Sequence, residues 1–178
     1  DWSSDVCSSD LDDAVTMMKP NYDNYCFSEN KLADCMFNSD MVLYCMKSLI
    51  LHGVKPKEIV DPNIRTDFNK LAYLVRLDHG LGENFSVIKE IAEQGEIVTE
   101  IVTHFSALEM TDVGNFKSLL FYFGLLSIKG VDMMGRPILH IPNLVVREQL
   151  FNFLIQGYAR HDIFKLDVNR RSEEHTSE

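Results

Sequence analysis

Between residues 115 and 153 the apolar positions change period twice, and the change predicts helix, strand, turn, strand and helix in succession. Phe116, Leu119, Leu120 and Phe123 recur at i, i+3, i+4 and i+7, one face of a helix. Gly124 follows as a C-terminal stop, because glycine takes the left-handed cap conformation at little cost. Residues 125–129 and 138–141 are short β-rich runs. Gly130, Asp132, Gly135 and Pro137 between them permit the chain to turn back, so the two runs read as a hairpin. Pro142 and Asn143 start a second helix, with the Asn143 side chain able to accept from the unpaired amides of its first turn. Val146, Leu150, Phe153, Leu154 and Tyr158 are its apolar stripe. Helix, hairpin and helix outline a winged-helix-like module.

Upstream the pattern is mostly helical. Residues 12–18 read as a helix that Pro20 ends. Residues 21–30 (NYDNYCFSEN) are rich in turn formers, and Tyr22, Tyr25 and Phe27 are expected to pin this loop to a core rather than stack on a base. Residues 32–37 read as a short strand. Asn38 or Ser39 caps a helix over 40–52, closed by Gly53, with Met41, Val42, Cys45, Met46, Leu49 and Ile50 as its stripe. A connector with Pro56 and Pro62 leads to a helix over 66–78, carried by Phe68, Leu71, Leu74 and Val75 and ended by HGLG. A shorter helix over 85–94 is carried by Phe85, Ile88 and Ile91 and closed by Gly95. Residues 96–105 (EIVTEIVTHF) are β-branched and read as extended. Residues 106–111 read as a linker, and Thr111 or Asp112 as the cap of the central helix. The expected fold is mainly α with a small β component: a helical, lid-like region over 12–105, then the winged-helix-like module over 106–160.

The two ends stand apart from this pattern. DWSSDVCSSDL (1–11) and RSEEHTSE (171–178), back-translated, fit one DNA duplex read on opposite strands. They read as adapter-derived flanks and are left out of the fold reasoning. On this reading the native chain runs from Asp12 to about Arg170, an internal fragment of a longer protein, with 161–170 starting a truncated downstream domain. Removing the flanks takes away six acidic residues and one arginine, and the net charge goes from −10 to −5. A mildly acidic chain with no basic block carries no electrostatic footprint for DNA or for an anionic membrane. No run of about 18 apolar residues occurs, so no membrane partner is expected. Outside the flanks Cys26, Cys35 and Cys45 remain, an odd number without C-x-x-C spacing, and they read as reduced thiols in a cytoplasmic protein.

The residues offer little catalytic chemistry. A phosphate cradle needs a glycine-rich loop with a lysine after it, and no G-x-x-x-x-G-K occurs; Gly80 and Gly82 follow a helix and have no lysine beside them. His52, His79, His104, His140 and His161 are scattered without i, i+4 pairing, so no metal site is expected. His104 and His140 both fall on expected strands. No nucleophile elbow surrounds any serine, and no carboxylate pair with lysine marks a nuclease core. For DNA reading the candidates are Lys117 on the central helix, Lys129, and Arg136 at the wing tip beside Asp132. For protein docking the candidate is an apolar patch of Phe121, Tyr122, Met133 and Met134.

Several stretches resemble one family. NYDNYCFS is similar to its Y-x-G-Y-x-F-S signature, with Asn24 where glycine is usual, and CMFNSDMVLY to its Y/F-N-P-x-S-V/L helix start, here without the proline. VDPNIRTDFNKL, NFKSLLFYFGLLSIKG, ILHIPNLVVREQL and DIFKLD extend the likeness over nearly all of 21–167. The family is the AAA-ATPase-like one, whose members commonly continue into a PD-(D/E)XK nuclease-like domain. The resemblance implies an upstream core that binds ATP and Mg, a downstream nuclease-like domain, and nucleic acid as a partner through the parent. It implies for this chain a non-catalytic linker between the two, without a cofactor of its own. No nucleotide or metal ligand of the family falls on a residue here, apart from Arg65, which the likeness offers as a lid arginine sensing a γ-phosphate. An ion pair of Arg65 with Asp61 or Asp67 is the plainer expectation.

Overall fold

The computed structural model describes residues 8–60 and 82–160. Along these the elements are α1 (Ser8–Tyr22), α2 (Ser39–His52), α3 (Glu83–Gln94), β1 (Glu96–Val98), α4 (Val113–Tyr122), β2 (Ser127–Val131), β3 (Pro137–His140) and α5 (Leu144–Arg160). Single 3-10 turns lie at Glu29–Lys31 and Ala107–Glu109. The chain is thus mainly helical with one small antiparallel sheet, as the apolar periods imply. The expected helix over 66–78 lies outside the described residues, as do the flanking 1–7 and 171–178.

Local chemistry sets most of the boundaries. The Asn38 side chain accepts from the Met41 amide at 3.2 Å and opens α2. The Asn143 side chain accepts from the Val146 amide at 3.1 Å and opens α5. Gly95 ends α3 at φ 80°, its amide donating to the Ile91 carbonyl at 2.7 Å, a left-handed cap that a side chain would strain. Gly124 (φ 71°) turns the chain out of α4, and the ring of Tyr25 lies 3.5 Å from where its Cβ would stand. Asp112 precedes α4 but makes no side-chain cap bond.

The sheet order is β1-β3-β2, so the last strand sits in the middle. Leu139 of β3 lies opposite Ile97 of β1 and Ile128 of β2. All three are buried, in one cluster with Ile88, Ile91, Phe116, Leu120 and Leu150 from the surrounding helices and Leu126 from the link between α4 and β2. Helix, strand, helix and hairpin, with β1 laid against the far side of the hairpin, is the winged-helix arrangement. β1, from the stretch ahead of residue 106, supplies one edge of this sheet by pairing with β3. A second, smaller cluster joins α1 and α2 through Met18, Tyr22, Met41 and Cys45, with Val145 of α5 as its link to the first.

Four expectations are corrected. Pro20 does not end α1, which runs on to Tyr22; only Asn21 and Tyr22 follow the proline, and the Asp23 amide still donates to the Lys19 carbonyl at 3.3 Å. Residues 32–37 form no strand: the chain coils through the 3-10 turn, and Met36 alone bridges to Tyr25. Of 96–105 only Glu96–Val98 is a strand. Thr99 still donates to the Pro137 carbonyl at 3.1 Å, but β3 ends there and the rest has no strand to pair with. His104 accordingly lies in coil. In α2, Ile50 faces outward, one step beyond the stripe that packs on α1.

Candidate functional site

In a winged helix the helix before the hairpin is the one that can read a groove in DNA, and α4 holds that position. Its composition is mostly apolar, with Lys117 as its one cation. Phe116, Ser118, Leu119, Leu120 and Phe121 are all buried, so burial reaches round most of the helix, and Gly114 and Tyr122 are its exposed residues. Broad burial of this kind is what an apolar run such as SLLF requires.

Two irregular segments complete the enclosure. The coil after β1 crosses α4: the Val102 amide donates to Ser118 Oγ at 2.9 Å, and Tyr122 Oη donates to the Val102 carbonyl at 3.2 Å. Ser118 Oγ in turn donates to the Gly114 carbonyl at 3.1 Å. On the other side a strap over 23–27 lies along β2. The Cys26 amide donates to Ser127 Oγ at 2.7 Å, Ser127 Oγ donates to the Asn24 carbonyl at 2.7 Å, and the Ile128 amide donates to the Cys26 carbonyl at 3.0 Å. Asn143 Nδ2 ties the Asp23 carbonyl to the start of α5 at 3.0 Å. Phe27 packs tilted against Phe121, with ring centroids 5.7 Å apart. Tyr22 and Tyr25 are buried, as expected of loop anchors. Burial pushes the Tyr22 phenol up to about 12, with neighbouring Cys45 and Tyr44 adding, and its hydroxyl donates to the Ile59 carbonyl at 2.8 Å. Phe121 therefore does not belong to an exposed patch: the strap covers it.

At Asn24 the backbone takes φ 73°, and among the described residues it is the sole non-glycine with positive φ. Asparagine tolerates this conformation better than residues with larger or branched side chains. The position is the one where the sequence pattern quoted above carries glycine.

The cations expected to touch nucleic acid are dispersed or engaged. Lys117 is half-buried on α4. Lys129, the bulged residue of β2, is ion-paired with Glu96 of β1 across β3. His140 lies opposite Glu96 in this sheet, half-buried; burial first, then the Lys129 ammonium, hold its pKa below the ordinary value, with Glu96 opposing. Arg136 forks onto Asp132, with Nη2 and Nε at 2.7 and 2.8 Å from Oδ2. Asp132 Oδ1 also accepts from the Met134 and Arg136 amides, both at 2.8 Å, so one carboxylate shapes the whole wing turn. These bonds, the Arg136 amide foremost, keep the Asp132 carboxyl below the usual range. The turn thrusts Met133 and Met134 into solvent, 107 and 80% exposed. Arg65 lies outside the described residues.

No group of three or more His, Cys, Asp or Glu side chains among the described residues converges to hold a metal ion. No helix among them is long and apolar enough to cross a membrane. An open groove of about 500 Å³ lies beside α1 and α2, lined by Leu11, Ala14, Met17, Met46, Leu49 and Ile50. Its one charged lining residue is Asp13, too little polar chemistry to orient a small ligand. The serine and asparagine contacts that hold the strap were not singled out beforehand, apart from Asn143 as a helix cap; the one local signal was Asn24 at a glycine position. The chain matches no protein-family model, no curated protein and no solved structure.

Proposed function

We propose that this chain is the non-catalytic coupling segment of a cytoplasmic AAA-ATPase-like protein, set between an ATP- and Mg-binding core and a PD-(D/E)XK nuclease-like domain. The observation that carries the coupling role is the enclosure of α4. A helix in the DNA-reading position with half of its residues buried, and with Lys129 and Arg136 held by Glu96 and Asp132, serves as a packed strut. The left-handed Asn24 at the family pattern's glycine supports the family reading, since the backbone there has the geometry that glycine favours.

Two measurements test it. Titration of the chain with a fluorescent ATP analogue in the presence of Mg should show no affinity tighter than millimolar; micromolar binding would contradict a non-catalytic segment. The contiguous gene should encode a Walker A motif upstream and a D…ExK set downstream, and a parent gene without either ends the family reading. In such a parent, Arg65→Ala should leave ATP turnover unchanged if the residue only pairs with Asp61 or Asp67. A loss of turnover would give it the sensing role instead.

A second reading, docking of a partner protein through the wing, is favoured by the exposure of Met133 and Met134. Flexible thioether side chains suit an adaptable contact surface.

A further inference from the structure

Cys26 and Cys35 stand opposite each other at the neck of one loop. Tyr25 and Met36 form an antiparallel bridge in which each amide donates to the other's carbonyl, at 3.0 and 2.9 Å. Continuing that register inward sets Cys26 opposite Cys35, the position that in an antiparallel ladder is the non-hydrogen-bonded kind, where side chains lie closest. The backbone of Cys26 agrees: its amide and carbonyl point away from Cys35, to Ser127 Oγ and the Ile128 amide. A disulfide accepts Cα separations of about 4.4–6.8 Å, which spans those of residues set opposite each other in an antiparallel pair. Both thiols are free; Cys26 is buried and Cys35 half-buried. Neither is engaged by another side chain that would hold it away: Cys26 Sγ lies 3.3 Å from the Ser28 carbonyl and Cys35 Sγ 3.4 Å from that of Leu32.

We propose that Cys26 and Cys35 form a reversible intramolecular disulfide that clips the strap across α4 and β2. The oxidant is a low-molecular-weight disulfide. The accessible Cys35 thiolate attacks one of its sulfurs and expels the first small thiol, giving a mixed disulfide on Cys35. Cys26 loses its proton to solvent, its thiolate attacks the Cys35 sulfur, and the second small thiol leaves. Two protein thiols are oxidised, one small disulfide is reduced to two thiols, and the electrons balance. Burial, then the Cys26 thiol beside it and the carboxylates of Asp23 and Asp34, raise the Cys35 pKa. The first step is thus slow at neutral pH and quickens as pH rises. Closing the loop fixes the segment that holds Tyr25 in the main core and Phe27 on Phe121.

The test is incubation of the full chain, with Cys7→Ser, in oxidised glutathione at mildly alkaline pH, followed by intact-mass and peptide mass spectrometry. The expected product has lost two hydrogens, yields one peptide pair linked through Cys26 and Cys35, keeps Cys45 free, and returns to the dithiol with dithiothreitol. Its Tm should rise by several degrees over the reduced chain, because the cross-link fits the folded geometry. Cys35→Ser should abolish the loss of two hydrogens, and Cys45→Ser should leave it intact. A glutathione adduct that persists on Cys35, a disulfide that includes Cys45, or a fall in Tm on oxidation would each overturn the proposal.

Discussion

The two hydrophobic clusters of the chain are built differently. The cluster around the hairpin buries Phe116, Ile88, Leu126 and Leu139 to the last few square ångströms, and draws on three helices, all three strands and the strap. The cluster between α1 and α2 buries Met18, Tyr22, Met41 and Cys45, while Leu43, Ile50, Leu51 and Val54 on the same stretch remain exposed. One is a core closed by long-range contacts; the other is a two-helix layer with apolar surface left over. The contrast teaches where rigidity resides: the hairpin unit is the body that holds its shape.

The largest expected effect breaks that contrast at its centre. Phe116→Ala should cost about 3–5 kcal/mol in urea unfolding, a large share of a typical domain's stability. Met41→Ala in the smaller cluster should cost about 2 kcal/mol, since a neighbourhood with exposed apolar edges can relax into the space. Equal costs would mean that the two regions are equally closed.

Gly157→Ala sharpens the packing side of the argument. A Cβ there would stand 2.4 Å from Phe85 Cε2, and Phe85 is itself wedged against Phe153 and Tyr158, with ring centroids 6.2 and 5.2 Å away. Alanine is the better helix former by about 1 kcal/mol. The clash should outweigh that gain and leave a net loss of about 1–2 kcal/mol. In a Phe85→Leu background, thermal melts should show the loss shrink, as expected for two residues in contact.

Smaller effects belong to the strap. Asn143→Ala removes both the cap of α5 and the bond to the Asp23 carbonyl, and should cost about 1–2 kcal/mol by chemical denaturation. Asn24→Ala should cost about 1 kcal/mol through the left-handed backbone alone, whereas Asn24→Gly should be nearly neutral.

The smallest effect is set by pH. The folded-state pKa of His140 lies below its unfolded value, so between the two the unfolded chain binds more protons. The contribution is complete above the unfolded pKa of about 6.5 and is lost as pH falls through the folded value. Stability should drop between neutral and mildly acidic pH, and His140→Gln should flatten the part of the slope that this histidine supplies.

Much of this architecture was legible in the sequence because its signals are local. The i, i+3, i+4 stripe of Phe116, the Asn38 and Asn143 caps and the Gly95 and Gly124 stops each act within one or two turns. What escaped depends on partners far along the chain. Residues 99–105 have the composition of a strand, yet a strand needs a neighbour, and β3 is only four residues long. Phe121 lies off the apolar stripe and looked exposed until Phe27, far upstream, covered it. The hydrogen bonds of Ser127 and Asn143 to the strap span more than 100 residues of sequence, and no local pattern announces them. For the candidate cations the residues were visible but their engagement was not: Lys129 meets Glu96 only once β1 and β2 flank the same strand.

On the proposed reading α4 is a strut and reads no groove. The most direct test is fluorescence anisotropy of labelled duplex DNA titrated with the chain at low salt. The enclosure of α4 predicts no rise in anisotropy up to tens of micromolar protein, by the weak-binding scale of unspecific contacts. Binding that weakens steeply with added salt, and that is lost in Lys117→Glu, would contradict it.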